Sequence, residues 1–212
     1  MNYPNIIQFE ISGRYALFTD PLTSCGGDKC SLPAPTYEAL KGMARAIYSS
    51  AEFSWVIDAV RIIASINATE TMSLTRRNYF EKGQDIAIYT YLRNVRCKVL
   101  AHMEFPEGTP PETQHKHYSI ARRMLRKGGR REVYLGTKSC PAEVSPCHFH
   151  KDEGYYDDIS EDFGLMYHSI TYKDGEAHSV QLFHCRMERG IIAFPRPEEC
   201  PISRRIKSHA LV

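Results

Sequence analysis

Residues 85–105, DIAIYTYLRNVRCKVLAHMEF, place an apolar side chain at every second position of their second half, and most of the residues between them are polar. A helix repeats every 3.6 residues and a strand every two, so this alternation predicts extended strands with one buried face. That face carries Cys97, Val99, Ala101, Met103 and Phe105. A chain built around such a run is expected to form a sheet.

Two helical segments are predicted among these strands. Residues 36–50 have apolar side chains at helical spacing, and Thr36 is a suitable N-cap. A second helix is predicted to begin near residue 113, after a loop at 107–113, and to end before the glycine pair at 128 and 129. Strands are predicted at 5–18, 53–66 and 131–136, whereas residues 67–84 read as polar and irregular.

The predicted elements follow the order β-α-β-β-α-β. This is the order of the ferredoxin-like split βαβ unit, which RNA-recognition (RRM-like) domains also use. Residues 137–212 contain strand-like runs and no convincing helix. We therefore predict an α+β protein with a ferredoxin-like domain at 1–136 and a small antiparallel β-sheet domain at 137–212.

Charge is distributed unevenly along the chain. The net charge is only +2, yet eight Lys or Arg residues and one acid lie between Lys116 and Lys138, while acids concentrate at 151–164. A surface of this kind can bind a polyanion locally without a high overall charge. No apolar run approaches the roughly 18 residues needed to cross a bilayer, and no signal-peptide pattern opens the chain. A cytoplasmic protein without a membrane partner is expected.

The seven cysteines are irregularly spaced, which favours reduced thiols over a disulfide framework. Cys147, His148 and His150 are possible metal ligands, but a second ligand pair at zinc-site spacing is missing. No metal and no other cofactor are predicted.

The start of the predicted second helix carries three basic side chains, His115, Lys116 and His117. Cations are unfavourable at a helix N-terminus, whereas a phosphate is favourable there. A neutral His117 could act as a base towards a ribose 2′-OH, and Lys116 could stabilise the charge that develops on the phosphate. The alternative is a histidine at the edge of the core that makes one hydrogen bond, beside a basic helix face that is merely solvated.

Four ordered blocks resemble a known family: GRYALFTDPLT at 13–23, PTYEALKGMARAIY at 35–48, KHYSIARRMLRKGGRREVYLG at 116–136 and FPRPEECPI at 194–202. The chain resembles the CRISPR-associated Cas-five family of type I-C (the Dvulg subtype), in the RAMP superfamily. The resemblance implies a ferredoxin-like fold and cleavage of precursor CRISPR RNA at its repeat.

The resemblance also implies a catalytic set of Tyr48, Lys116 and His117. A tyrosine hydroxyl has an ordinary pKa of about 10, which makes it a poor base, so we expect Tyr48 to donate a proton or to position another group. A half-buried packing residue is the alternative reading of Tyr48. RNA contacts are predicted at Arg14, Arg76, Arg77, His115, Arg122, Arg123, Arg126, Lys127, Gly128, Gly129, Arg130 and Arg131.

The predicted function is a metal-independent endoribonuclease that uses 2′-OH attack and leaves a 2′,3′-cyclic phosphate and a 5′-hydroxyl. Its expected partners are precursor CRISPR RNA, the mature crRNA, and the backbone and large subunits of a type I-C surveillance complex. One alternative is a non-catalytic RNA-binding subunit that caps the crRNA 5′ handle. Another is a metal-dependent nuclease, or a protein that binds duplex DNA nonspecifically.

Overall fold

A computed structural model describes residues 5–19, 28–78, 83–173 and 175–206, and the side chains of 76–78 and 83–85 fall outside that description. The described part is mostly β, with two α-helices and one large, mainly antiparallel sheet. The helices are α1 (Tyr37–Ile47) and α2 (Pro111–Arg126), and a short 3₁₀ helix spans Pro197–Glu199. The strands are β1 (Ile6–Ala16), β2 (Lys29–Cys30), β3 (Ser54–Ile62), β4 (Thr69–Asn78), β5 (Gly83–Glu104), β6 (Val133–Tyr134), β7 (Pro141–Pro146), β8 (Glu161–Lys173), β9 (Glu176–Glu188), β10 (Ile191–Ala193) and β11 (Ile202–Arg205).

The sheet is ordered β11-β9-β10-β3-β5-β1-β7-β6. Strands β2 and β4 also pair with β5, and β8 pairs with β9. The long strand β5 therefore lies at the centre, between β1 and β3, and extends beyond both of them to pair with β4.

The predicted apolar faces of the central strand and the first helix are confirmed. In β5, Cys97, Val99, Ala101 and Met103 are buried, and Phe105 just beyond the strand is half-buried. Leu40, Met43 and Ile47 of α1 pack into the same core. Thr36 caps α1, since its hydroxyl accepts a hydrogen bond from the Ala39 N–H at 3.3 Å.

The prediction of irregular structure at 67–84 is wrong. Strand β4 runs antiparallel to β5 from Thr69, opposite Leu92, to Asn78, opposite Gly83. Ser73 and Thr75 are exposed in this ribbon, and so is Ile86 of β5. A two-stranded ribbon that leaves the body of the sheet has no fully buried face, so the apolar alternation in β4 is confined to Met72 and Leu74 and is too short to identify a strand.

The predicted strand at 131–136 is confirmed only in part, and it is not the fourth strand of a βαββαβ unit. Only Val133–Tyr134 is extended there, and it pairs with β7 rather than with β1. Strand β7 pairs with β1, so that β3, β5, β1 and β7 are adjacent in that order. The backbone at Arg130 and Arg131 donates to carbonyls at the end of α1, which keeps the chain out of the sheet at this point.

The hydrogen-bonded ladder continues from the first part of the chain into the second. Ile191–Ala193 of β10 pairs with Ala59–Arg61 of β3, and β9 then carries β11 and β8. The division at 136/137 stays a prediction. No helix in the described ranges is long and apolar enough to cross a membrane.

Two buried cations hold the segment that follows β7. Lys98 of β5 is fully buried and pairs with Asp152 at 2.6 Å, while Arg61 of β3 pairs with Asp157 at 2.7 Å. Part of the acidic stretch at 151–164 therefore faces the sheet and is neutralised there.

Candidate active site

Tyr48 lies directly after α1 and is its C-terminal cap. Its backbone N–H donates to the Ala44 carbonyl at 3.1 Å, and its own carbonyl accepts from the indole N–H of Trp55 at 2.7 Å. The ring stacks on Phe53 with a centroid distance of 5.7 Å. These contacts fix both the backbone and the ring of Tyr48.

His117 does not lie at the start of its helix, contrary to the sequence prediction. Helix α2 begins at Pro111, so residues 115–117 occupy its second turn, and the acidic Glu112 occupies the first. Proline suits the first helical position because the N–H that it lacks has no partner there. The helix dipole weakens beyond the first turn, so these basic side chains oppose it little. The three basic residues therefore do not lie at the helix N-terminus, where the sequence predicts that they bind a phosphate together with the backbone N–H groups.

The structure brings the side chains of Tyr48 and His117 together. The Tyr48 hydroxyl lies 2.8 Å from Nδ1 of His117, and Nε2 of His117 lies 3.0 Å from Oε2 of Glu52. Phe53 and Phe105 enclose the imidazole, with ring centroids at 5.5 and 6.0 Å. His117 is 3% exposed and Tyr48 6%, whereas the Glu52 side chain is 55% exposed. Both imidazole nitrogens are thus engaged, and only the carboxylate reaches solvent.

The surroundings shift the pKa values of both Glu52 and Tyr48. The hydrogen bond from His117 holds the pKa of Glu52 below its ordinary value, with a further contribution from Lys116. Burial raises the pKa of Tyr48, and this is partly offset by the positive charge of Arg130. Glu52 is therefore the ionised carboxylate of the site at neutral pH.

Sequence reasoning missed Glu52. It lies four residues after Tyr48 in the short connection between α1 and β3, and no spacing rule links it to a histidine 65 positions away. The available signal was weak: an acid placed beside the tyrosine that the family resemblance implicates.

Lys116 is exposed on α2, next to the buried His117. Its charge acts on Glu52, so its ammonium group belongs to the same electrostatic environment. His115 is also exposed. A buried tyrosine–histidine pair with an exposed cation beside it can exchange protons and stabilise an anion.

The glycine pair at 128 and 129 ends α2 and joins it to α1. The N–H groups of Gly128 and Gly129 bond to the carbonyls of Leu125 and Met124, which is the Schellman arrangement. Gly129 has φ +113°, and a Cβ there would lie 2.9 Å from the Arg131 carbonyl oxygen. The N–H groups of the next two residues then bond to Ala46 and Ile47 at the end of α1. This turn consequently fixes the position of Tyr48 relative to α2.

A basic face lines α2 and the turn after it. Its exposed members are Arg122, Arg123, Arg126, Lys127, Arg130 and Arg131. A groove of about 400 Å³ lies between α2 and the adjacent ends of β1 and β7, and Tyr118, Arg122, Arg126 and His148 line it. The Arg122 guanidinium lies 5.6 Å from the centre of the Tyr118 ring. The groove combines an aromatic surface with cations, a combination typical of single-stranded nucleic-acid sites.

The remaining predicted RNA contacts lie elsewhere. Arg14 of β1 lies over the Tyr15 ring at 5.2 Å and lines a second groove of about 540 Å³ with Arg96 and Asn94. Arg76 and Arg77 belong to β4, and their side chains are outside the described part of the structure.

The possible metal ligands of the sequence are not gathered into a site. In the described ranges, no group of three or more His, Cys, Asp or Glu side chains is placed to hold a metal ion. Burial raises the pKa of the Cys147 thiol to about 11, which keeps it in the protonated form that binds metals poorly.

The family sequence model described as CRISPR-associated protein (Cas_Cas5), for Cas5d, matches residues 6–195. The chain belongs to the Cas5d family. The resemblance to this family is thereby confirmed.

Three relatives illustrate the Cas5d likeness. The CRISPR pre-crRNA endoribonuclease Cas5d of Thermus thermophilus is 24% identical over 233 residues, covering 96% of this chain and 97% of that protein. A crystal structure of a CRISPR-associated protein superposes with a TM-score of 0.74 at 27% identity, over 94% of this chain and 96% of the other. A functionally uncharacterized protein from Streptococcus mutans gives the same TM-score and the same coverages at 31% identity. The likeness therefore spans nearly the whole chain and includes the fold.

Proposed function

We propose that this Cas5d-family protein is a metal-independent endoribonuclease that cuts precursor CRISPR RNA at its repeat. The observation that carries the proposal is the 2.8 Å contact between the Tyr48 hydroxyl and Nδ1 of His117, next to the exposed Lys116. The full-length similarity to a pre-crRNA endoribonuclease supports the same activity.

The reaction begins with proton transfer from a ribose 2′-OH. Tyr48 and Glu52 engage the two nitrogens of His117, so the Tyr48 oxygen is the acceptor that remains for the substrate. It receives the 2′-OH proton while its own proton moves to Nδ1 of His117. Concerted transfer is favoured because burial raises the pKa of Tyr48 and disfavours a free phenolate.

Phosphoryl transfer follows within the RNA itself. The 2′-oxygen forms a bond to phosphorus, and the bond from phosphorus to the 5′-oxygen breaks. Lys116 stabilises the developing negative charge and gives a proton to the leaving 5′-oxygen. Water restores the lysine proton and takes the extra proton from His117. The products are a 2′,3′-cyclic phosphate and a 5′-hydroxyl.

The RNA strand follows the basic face of α2. In the groove beside that helix, Tyr118 stacks on a base while Arg122 and Arg126 bind neighbouring phosphates. His115, Arg123, Lys127, Arg130 and Arg131 add charge along the same path, and the turn at Gly128 and Gly129 keeps the path close to Tyr48.

The product stays bound in this proposal. The ferredoxin-like unit formed by β1, α1, β3, β5, α2 and β7 holds the mature crRNA, and the protein then joins the backbone and large subunits of a type I-C complex in the cytoplasm. Duplex DNA is a further ligand that the basic face fits by charge alone.

A non-catalytic subunit that caps the crRNA 5′ handle is the second candidate. The burial of Tyr48 and His117 favours it, since a substrate must displace neighbouring groups to reach them. Both functions bind RNA, and only one of them breaks a bond.

End mapping separates the two candidates. Repeat RNA is incubated with the protein in EDTA, and the termini are identified; the endoribonuclease gives the cyclic phosphate and the 5′-hydroxyl. A matched RNA with one 2′-deoxy sugar 5′ of the scissile phosphate must bind and stay intact. Binding of both RNAs without cleavage of either supports the capping subunit, and cleavage of the deoxy substrate refutes 2′-OH attack.

A further inference from the structure

We infer that Glu52 is a positioning residue that fixes the tautomer of His117, so that Nδ1 is the accepting nitrogen and faces the Tyr48 hydroxyl. The inference about the tautomer stands on the contacts of the protein alone. Its consequence for catalysis rests on the proposed endoribonuclease function.

The tautomer of His117 follows from which of its neighbours can donate a hydrogen bond and which can only accept one. An ionised carboxylate only accepts, and Glu52, whose side chain is 55% exposed, is ionised at neutral pH. Nε2 of His117 must therefore carry a hydrogen to make its 3.0 Å contact with Oε2. In a neutral imidazole the other nitrogen then has a free lone pair. The 2.8 Å contact at Nδ1 is accordingly a bond that the Tyr48 hydroxyl donates.

The loop that carries Glu52 is built to hold it in place. It connects Tyr48, at the end of α1, to Phe53, before β3, and these two rings stack on each other. The Glu52 N–H donates to the Ser50 hydroxyl at 3.3 Å. Because both ends of this short connection are anchored in the core, the carboxylate has a limited range of positions relative to the imidazole.

Among the groups around His117, Glu52 is the one that determines which imidazole nitrogen carries the hydrogen. From α1 the neutral hydroxyl of Tyr48 faces His117, and from the core the uncharged rings of Phe53 and Phe105 enclose it. Two cations act on this group through charge: Lys116 on Glu52, and Arg130 on Tyr48. Of these neighbours, Glu52 is the one whose carboxylate contacts Nε2.

The Glu52 carboxylate therefore sets the direction of both hydrogen bonds: Tyr48 donates to His117, and His117 donates to Glu52. With Glu52 in place, Tyr48 donates to His117, and the imidazolium formed during the reaction is paired with a carboxylate. Without the carboxylate, the Nδ1–H tautomer becomes accessible and donates to the Tyr48 oxygen instead. That oxygen then faces the substrate with its own hydrogen directed elsewhere, and the proton can no longer pass to His117.

The first test reads the tautomer directly and needs no RNA. Protein labelled with ¹⁵N-histidine is recorded in long-range ¹H–¹⁵N spectra, and His117 is assigned among the nine histidines by its absence in a His117→Asn variant. The wild type is expected to be protonated at Nε2, and Glu52→Ala should raise the Nδ1–H population several-fold. A wild type protonated at Nδ1, or a Glu52→Ala spectrum unchanged from wild type, overturns the inference.

The second test is the pH dependence of single-turnover cleavage. Glu52→Gln keeps the shape of the side chain and removes its charge, so it covers the case in which the alanine variant fails to fold. We expect its rate to fall about 10- to 100-fold with the RNA Kd unchanged or tighter. The shape of its pH profile should differ from that of wild type, because a neutral amide cannot form an ion pair with the imidazolium that arises during the reaction. Glu52→Asp should recover part of the rate.

Glu107→Gln is the matched control, because it removes the same charge from the exposed loop before α2. Its rate and profile should match wild type. If Glu52→Ala and Glu52→Gln both match it, Glu52 has no positioning role in catalysis, because the glutamine oxygen alone can still accept from Nε2. If the wild type does not cut RNA at all, the proposed function fails while the NMR result still decides the tautomer, so the two failures are distinguishable.

Discussion

The indole N–H of Trp55 donates a 2.7 Å hydrogen bond to the backbone carbonyl of Tyr48. This bond ties the first residue after α1 to β3, and it places the single tryptophan of the chain directly beside the candidate active site. Trp55 is 2% exposed, so its carbonyl partner has no access to water. The position of Tyr48 is therefore set by packing of the core and not by the flexible end of a helix.

Trp55→Phe should destabilise the fold and slow cleavage. The variant leaves the Tyr48 carbonyl without its donor, which costs about 1–3 kcal/mol, and it removes part of a packed ring. Urea denaturation followed by far-UV circular dichroism measures the loss. Tyr48→Phe is the comparison, because it keeps the indole bond and removes only the hydroxyl. Equal stability of Trp55→Phe and wild type would show that the bond is not needed to hold this residue.

Replacement of the three proposed catalytic residues should separate binding from chemistry. Tyr48→Phe, Lys116→Ala and His117→Ala should each lower the single-turnover rate about 100-fold or more, because each removes a proton-transfer or charge-stabilising group. RNA affinity, measured by filter binding, should change little. Lys173→Ala, which removes an exposed lysine from β8, is the control. Affinity that falls in step with the rate would make these residues phosphate contacts only.

Two glycines with positive φ should respond very differently to a methyl group. A Cβ at Gly136 would lie 2.1 Å from the Leu17 carbonyl oxygen, whereas a Cβ at Gly108 would meet nothing within 4 Å. Their φ angles are +90° and +83°, so the backbone strain is similar. Gly108→Ala should cost about 1 kcal/mol, and Gly136→Ala several times more, because backbone must move. Similar denaturation midpoints would mean that the close approach is relieved cheaply.

The buried His168 should make the fold sensitive to acid. It stacks on Tyr37 at 4.0 Å, and Nε2 lies 2.9 Å from the Pro195 carbonyl oxygen. Burial lowers the pKa of His168 from 6.5 to about 4. Between these values the unfolded chain binds a proton that the folded chain excludes, so stability is full above pH 6.5 and falls as the pH drops towards 4.

The size of that acid effect follows from the shift. At about 1.4 kcal/mol per pKa unit, His168 should remove about 3 kcal/mol over this range. Denaturation of wild type and His168→Gln at a series of pH values measures it, since the variant should be less stable at pH 7 but lose less on acidification. Parallel pH curves for the two proteins would assign the acid sensitivity to other groups.

Local pattern was enough to predict those elements that bury one clear face. The alternation in β5 and the apolar spacing in α1 are direct consequences of burial, and both predictions hold. The cap at Thr36 is equally local, since its hydroxyl accepts from an N–H three residues away. By contrast, β4 is a strand because β5 pairs with it, and nothing in its own polar sequence requires that.

The site depends on contacts between distant parts of the chain, which pattern alone does not reveal. Tyr48 and His117 were named together only through a family resemblance, and their 2.8 Å contact spans 69 positions. Glu52 joins them because a short loop happens to turn its side chain towards α2. Helix α2 begins two residues before its predicted start, because Pro111 is the first residue of the helix and not part of the preceding loop.

The groove beside α2 offers a last prediction, in which two variants of one site differ in their salt dependence. Arg126→Ala removes a cation that is proposed to bind one phosphate of single-stranded RNA. It should weaken binding modestly and make log K less steep in log salt by up to about 0.7. Tyr118→Ala removes a stacking surface instead, so it should weaken binding by about 1–3 kcal/mol while the salt slope stays as in wild type.

Fluorescence anisotropy with a labelled, uncleavable 2′-deoxy repeat, titrated at several salt concentrations, gives both the affinity and the salt slope of each variant. Lys173→Ala is the control, because it removes one exposed positive charge that does not line the groove. If both variants bind with wild-type affinity and slope, the RNA follows another surface, and the basic face of α2 serves only to keep the helix solvated.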